Sequence, residues 1–584
     1  MKRAGNIPEN AQAQFLDNLE VERERGITVK AQTASMLVRS PKDGENYLLN
    51  LIDTPGHVDF SYEVEKSLVA CQGVLMLVDA TQGIQAQTLS TFYSAKKHNL
   101  DIIPVITKID LPHADVARCK QQITDVLKLP PNDILCCSAK KNLGIDAIFD
   151  KVISTIIWPQ GSVQNPFRAR ICDCWYDTYK GIICSIQIED GEVNQGDKVM
   201  LFHSNQRFDV LELGLLLPFS VPISKLQAGN VGYIVLGCRD NKQIYLGDTI
   251  IHNRDYSSST PKPAPLPHFS TPSRMVFASV YPVDQSSFED MRTALERLLL
   301  NDNSVSVAQE SSQALGMGFR CGYLGVLHMN IFQERLFNEF GMPVLVTAPF
   351  VPHRAVLKTG ETIEVNKPSE MPPPCDTLRI LQPMVDVSVV SPSRYLGDLM
   401  TLFRDRRGTE SEIRYLDNQL VLLKYRMPWA EVVVDFYDVV KNRSSGYASL
   451  EYEDGGWEAD DVVKVDILLN GKPVDALAFV CNRKQVESRG REILLRLKET
   501  ISRQQYEVIL QAAVGAKIFA RERIAPYRKD VLVKGGKLVG GGDSTRKKKL
   551  LEAQKRGKKK LRTIANVEIP QEAFFAVLDR SKSK

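Results

Sequence analysis

The chain has 584 residues, 43% hydrophobic and 25% charged, with a net charge of +4; it is too long for one hydrophobic core and has the composition of a soluble globular protein. No apolar run approaches the roughly 20 residues of a membrane-spanning helix, and the acidic N-terminal stretch MKRAGNIPENAQAQFLDNLEVERERG lacks the apolar centre of a signal peptide. The eleven cysteines follow no zinc spacing: Cys172 with Cys174, and Cys136 beside Cys137, read as small buried apolar residues of a reducing compartment.

In chain order, the first segment (residues 1–160) alternates short apolar runs with helical ones. YLLNLID, GVLMLVDA, DIIPVITKID and DILCCSA are separated by SYEVEKSLVAC, TLSTFYSAKKHN and DVARCKQQITDVLKL. That rhythm predicts a parallel α/β sheet. Residues 165–261 turn to short β runs broken by Gly, Asn and Asp, the pattern of an antiparallel β-barrel. Residues 257–272 are Ser/Pro-rich and read as a linker. Residues 273–352 run β-α-β-α-β, a split α+β (ferredoxin-like) unit, and residues 379–457 form a second one after the Pro-rich junction PSEMPPPCD. Residues 461–584 hold a charged helix and a basic tail. The fold class expected is therefore multidomain: α/β, then β, then α+β twice, then a basic C-terminal domain.

The chemistry is concentrated in the first segment. Asp53 closes an apolar strand and opens the turn Thr54-Pro55-Gly56-His57. Ligands of α/β folds sit at such strand ends. A carboxylate there can hold a magnesium-bound water, Gly56 lets a backbone N–H approach a phosphate oxygen, and His57 can orient an attacking water. Alone, D-T-P-G is a turn after a strand. At the end of a later strand stands Thr107-Lys108-Ile109-Asp110, where Asp110 can accept two hydrogen bonds from a guanine edge and the Lys108 stem can lie over the base. Ser138-Ala139-Lys140 follows the next strand and offers a backbone N–H to the guanine carbonyl, while Arg25-Gly26-Ile27-Thr28 upstream offers a hydroxyl for Mg2+. Four motifs in this order point to a GTPase that uses GTP with Mg2+.

RGIT, DTPGH, TKID and SAK resemble the switch and base-recognition motifs of translational GTPases. SQALGMGFRCGYLGVLHMNIFQERL resembles the third domain of the LepA family of ribosome-binding elongation factors, and SPSRYLGDLMTLFRDRRG its unit like domain V of EF-G. APYRKDV, GGDSTRKKKLLEAQKRGKKKL and NVEIPQEAFFAVL resemble the C-terminal domain found only in that family. GVLMLVDATQGIQAQT is similar to eukaryotic mitochondrial members. The resemblance implies a ribosome-dependent GTPase, active as a monomer and not on DNA, that promotes back-translocation of tRNAs and protects fidelity. It implies the mitochondrial matrix as location, with peripheral contact to the inner membrane; a bacterial member would be cytoplasmic.

Two departures stand out. Thr107 replaces the family's Asn, so the loop has a hydroxyl tether with fewer bonds than an amide, and weaker guanine binding is expected. G-x-x-x-x-G-K-[ST] does not occur in the sequence, so the GTPase-like sheet is expected to be truncated of its phosphate-loop segment, as in a gene product whose recorded start is an internal Met. The alternative is a ribosome-binding protein whose nucleotide site is inactivated by that loss. At the other end, a charge run is by itself a solvated face. With the family resemblance, Arg546, Lys547, Lys548, Lys549, Lys555, Lys558 and Lys559 are expected to contact ribosomal RNA near the tRNA-binding region.

Overall fold

The computed structural model describes residues 7, 15–40, 43–217, 219–238, 240, 243–258, 263–269, 272–312, 315–417, 419–433, 435–527, 533–534, 537–538, 549 and 551–557. The chain forms a multidomain α/β structure with a GTPase-like domain followed by antiparallel sheets.

The first segment begins with α1 (Glu20–Arg25) and a hairpin of β1 (Gln32–Arg39) with β2 (Asn46–Asp53). Then come α2 (Ser61–Ala70), β3 (Gly73–Asp79), α3 (Ala86–Lys97), β4 (Asp101–Thr107), α4 (Val116–Leu127), β5 (Leu135–Cys136) and α5 (Ile145–Thr155). β3, β4 and β5 pair in parallel, in that order. Ile103, Val105 and Ile106 of β4 are fully buried, as a central strand covered on both faces requires. The sequence predicts YLLNLID in the same parallel sheet. Instead β2 pairs antiparallel with β1 in a separate two-stranded sheet, and the described residues show no ladder between β2 and β3. Few residues separate β1 from β2, which favours their pairing as antiparallel neighbours, whereas the α2 crossover leaves β3 free to lie elsewhere.

Between Arg168 and His252 eight strands form one antiparallel sheet, in the spatial order Arg207–Asp209, Lys198–Leu201, Thr249–His252, Arg168–Asp177, Gly181–Asp190, Val231–Val235, Glu212–Leu217 and Phe219–Ile223. It encloses a core containing Ile171, Ile186, Val199, Leu213 and Ile250. Cys174 and Cys184 lie in that core, opposite each other on neighbouring strands.

The third unit is β6 (Val276–Pro282), α6 (Phe288–Asn301), β7 (Ser306–Ser312), β8 (Gly316–Tyr323), α7 (Val326–Phe340) and β9 (Val344–Val346), with spatial order β7-β8-β6-β9. The glycine-rich β8 escapes the sequence pattern, because Gly316, Gly318 and Gly322 break its apolar alternation. A Cβ at Gly318 would lie 2.4 Å from the Tyr281 ring, so the strand needs glycine there for close packing.

The next unit comprises β10 (His353–Leu357), β11 (Thr362–Val365), β12 (Thr377–Pro392), α8 (Leu396–Asp405), β13 (Thr409–Tyr415), β14 (Leu420–Pro428), α9 (Phe436–Arg443) and β15 (Ser449–Asp460). β13-β14-β12-β15 repeats the order of the third unit, and the β10–β11 hairpin extends the sheet along the N-terminal part of β12. Residues beyond contain an antiparallel sheet that the charged composition concealed: β16 (Val462–Leu469), β17 (Lys472–Pro473), β18 (Phe479–Asn482), β19 (Val508–Val514) and β20 (Lys517–Ile524), packed on α10 (Val486–Thr500).

Each split α+β sheet has helices on one face only, so its other face needs a cover. In β14, Val421 and Leu423 face the unit's own helices, while Leu420 and Leu422 join Ile123, Leu127 and Phe92 of the first segment. The alternation of period two thus delivers one apolar face to each neighbour.

Candidate nucleotide site

The structure brings two of the predicted motifs together on the parallel sheet. Thr107 ends β4 in register with Asp79, the last residue of β3. The Thr107 hydroxyl donates to the Val78 carbonyl at 3.4 Å, so it tethers the loop to the neighbouring strand. Lys108 follows at φ 58°, in the left-handed region, and its Nζ pairs with Asp79 at 2.7 Å. Burial would raise the Asp79 carboxyl, but hydrogen bonds from Lys108 and Thr81 outweigh it and hold the group below its ordinary range. Asp110 accepts the Ser138 hydroxyl at 2.6 Å, which likewise holds its half-buried carboxyl low and ionised. Ala139 and Lys140 lie exposed in the tight turn that Ser138 closes with Leu143. An ionised acceptor, a lysine stem fixed by a second carboxylate and exposed backbone N–H groups converge at the strand ends. Asp79 was not singled out from sequence; its place at the end of β3 was the available signal.

The switch motifs form a second group. Glu22 of α1 is fully buried and organises the RGIT loop: its Oε1 accepts the N–H groups of Val29 (2.9 Å) and Lys30 (3.1 Å), and its Oε2 that of Leu19 (3.0 Å). The Thr28 hydroxyl donates to Asp17 at 3.1 Å. Burial and the nearby Asp17 charge raise the Asp53 carboxyl. Asp17 thus bonds Thr28 and its charge acts on Asp53, so the two motifs share one acidic neighbour and offer oxygen donors of the kind a hard divalent cation takes. No group of three or more His, Cys, Asp or Glu among the described residues could hold a metal by itself, as is normal where phosphates and waters supply most ligands. Thr54 and Gly56 are exposed, Pro55 is buried, and the space beside Gly56 is open.

His57 caps the short helix Val58–Phe60: its Nδ1 accepts the Asp59 N–H at 3.1 Å. Burial lowers its pKa, against a smaller opposing pull from the Asp59 carboxylate. The ring is therefore neutral with its proton on Nε2. It lies against Tyr437 of α9, ring centroids 5.6 Å apart. Sequence reasoning passed over Glu22 and Asp59, although each sits within a few residues of a recognised motif.

Of the basic tail, Lys549 and Lys555 are exposed on helical residues, and Arg556 pairs with Glu552 at 3.8 Å. Arg546, Lys547, Lys548, Lys558 and Lys559 lie outside the described residues.

Three family models match the chain: the elongation factor Tu GTP-binding domain over residues 1–157, the elongation factor G C-terminus over 379–468 and the GTP-binding protein LepA C-terminus over 469–579. A translation factor GUF1 homolog, mitochondrial, of Phytophthora infestans is 50% identical over 99% of this chain and 88% of that protein. Elongation factor 4 of Acetivibrio thermocellus is 47% identical over 97% of this chain and 92% of its own length. A crystal structure of a Thermus thermophilus protein superposes with a TM-score of 0.56 over 78% of this chain and 94% of that one; at 14% identity it shares the fold.

Proposed function

This chain belongs to the LepA family of GTP-binding translation factors, and from that premise we propose that it uses GTP hydrolysis on the mitochondrial ribosome to promote back-translocation of tRNAs and so protect fidelity. The observation that carries the nucleotide assignment is the paired loops at the strand ends. Asp110, held ionised by Ser138, accepts the two N–H groups of guanine, which adenine does not present. Lys108, fixed by Asp79, covers the base, and the N–H groups of Ala139 and Lys140 meet its carbonyl.

Thr28 and Asp53 are the residues that would hold Mg2+, which neutralises charge developing on the phosphate oxygens. Thr54, Pro55 and Gly56 form the turn that senses the end of the phosphate chain. His57, neutral and with its proton on Nε2, donates to the attacking water and places it; catalysis is positioning and charge stabilisation. In this reading residues 1–160 bind nucleotide, 165–261, 273–352 and 379–457 transmit its state, and the basic residues of 461–584 reach rRNA and tRNA. The factor works as a monomer in the matrix, with basic faces able to touch anionic lipid heads of the inner membrane. Among the described residues no helix is long and apolar enough to cross a membrane.

His57→Ala in the native protein is expected to cut ribosome-stimulated GTP hydrolysis by roughly a hundredfold or more while GTP binding stays nearly unchanged. Hydrolysis at the unaltered rate would remove His57 from the mechanism.

A further inference from the structure

Asp59, two residues after His57, is 7% exposed, and among the described residues its carboxylate has no partner in the GTPase domain beyond its own turn. Its Oδ2 accepts the N–H of Leu327 at 2.9 Å and, more weakly, that of His328 at 3.4 Å, both in the first turn of α7. Its Oδ1 accepts the Tyr452 hydroxyl from β15 at 2.8 Å. One buried carboxylate of the second switch is therefore satisfied by donors from two other units. The fit at α7 is close: a Cβ on Gly325 would lie 2.1 Å from Oδ2, although the Gly325 backbone (φ −159°) is extended and suits any residue. Meanwhile the Asp59 backbone N–H holds His57 Nδ1.

We propose that Asp59 is a positioning residue for GTP hydrolysis: it locks the second switch to the third unit and to the following α+β unit, so that His57 takes its place only when both are docked. A buried carboxylate stripped of its donors carries a desolvation penalty. The switch therefore adopts this arrangement when Leu327, His328 and Tyr452 are all in reach, and a shift of either unit releases it. The same lock extends inward, because His328 Nε2 bonds Asp302 at 2.7 Å in the core of the third unit. The first switch converges on the same helix: Val21 and Val29 pack with Ile331 of α7 beside Phe60 of the second switch, and Arg25 pairs with Glu334. α7 thus touches both switches. The inference rests on the reading of His57 given above.

The test is ribosome-stimulated steady-state GTP hydrolysis by the full native protein carrying Gly325→Ala, Asp59→Ala or both, with Tyr452→Phe as a variant that removes only one hydroxyl. Gly325→Ala is expected to lower kcat about tenfold with the KM for GTP unchanged, and to cost nothing further in the Asp59→Ala background, since the methyl then meets no carboxylate. Tyr452→Phe is expected to lower kcat in the same direction, and it carries the test should Asp59→Ala fail to fold. Unchanged kcat in Gly325→Ala and Tyr452→Phe, or an equal cost of Gly325→Ala with and without Asp59, overturns the inference. A hydrolysis-competent His57→Ala protein would instead overturn the His57 reading, so the two failures are distinguishable.

Discussion

At the scale of single residues, Thr107 gives its loop a hydroxyl tether in place of an amide. Among the described residues its hydroxyl reaches only the Val78 carbonyl, at a long 3.4 Å, and the loop has the Lys108–Asp79 pair beside it. An Asn at this position brings an amide with both a donor and an acceptor. Thr107→Asn is expected to tighten GDP binding by the native protein several-fold, on the order of one added hydrogen bond worth about 1 kcal/mol, read by competition with a fluorescent GDP analogue. An unchanged dissociation constant would mean that Lys108 and Asp110 already hold the loop as well as an amide could. Asp53, His57, Asp110 and Ser138 were legible because a strand end followed by a polar turn survives in sequence. Asp59 and Asp79 were not, because their roles come from partners hundreds of residues away or on a neighbouring strand.

At the scale of elements, α1 is a helix too short to stand alone. It is held by Glu22, whose buried carboxylate gathers three backbone N–H groups, and by Gly26, whose φ of 66° ends the helix and turns the chain into Ile27-Thr28. Glu22→Ala leaves three backbone donors without that partner, two of them buried, at a cost of about 1–3 kcal/mol for each buried one before relaxation. The expected outcome is local release: trypsin should cut after Arg23 and Arg25 many times faster in the variant, while far-ultraviolet circular dichroism stays the same. Equal cleavage rates would show that packing on α7 alone retains the element. The element pattern itself was readable wherever one period dominated, as in β3, β4 and the helices. It failed at β8, where glycines erase alternation, at β2, whose partner is the strand just before it, and across β16–β20, whose charged outer face masks the apolar one.

At the scale of the whole molecule, charge and burial are unevenly distributed. The basic residues gather near the C-terminus while the net charge of the chain stays at +4. If that end contacts an RNA backbone, reversing Lys547, Lys548 and Lys549 to Glu should weaken ribosome binding and flatten its dependence on salt, since each lost phosphate contact removes close to one unit of slope. The same weakening at every salt concentration, with no change of slope, would count against direct phosphate contact. The units in between are joined by faces that neither could leave bare. The outer face of β12, β14 and β15 is covered by α3 and α4: Leu420 and Leu422 meet Ile123 and Leu127, and the Ser449 hydroxyl accepts the Ala86 N–H at 2.9 Å.

Glu451 sits in that joint, 7% exposed, beside Ser90. Burial lifts its carboxyl to about 7, against a smaller lowering by the Ser90 hydrogen bond. Unfolded, the group returns to its ordinary value near 4.5, so between these two pH values the folded protein holds a proton that the unfolded chain has released. Stability contributed by this site is therefore whole below pH 4.5, falls as pH rises, and is lost above about 7, a difference on the order of 3 kcal/mol. Gln keeps the shape and still accepts from Ser90, but has no charge to desolvate. Glu451→Gln should consequently raise the melting temperature by several degrees at about pH 8 and leave it nearly unchanged at about pH 4. An equal shift at both pH values would trace the gain to packing and not to ionisation. Because the residue lies where the GTPase domain meets the second α+β unit, the wild-type joint is expected to loosen as pH rises through this range, and the uncharged variant should hold it closed.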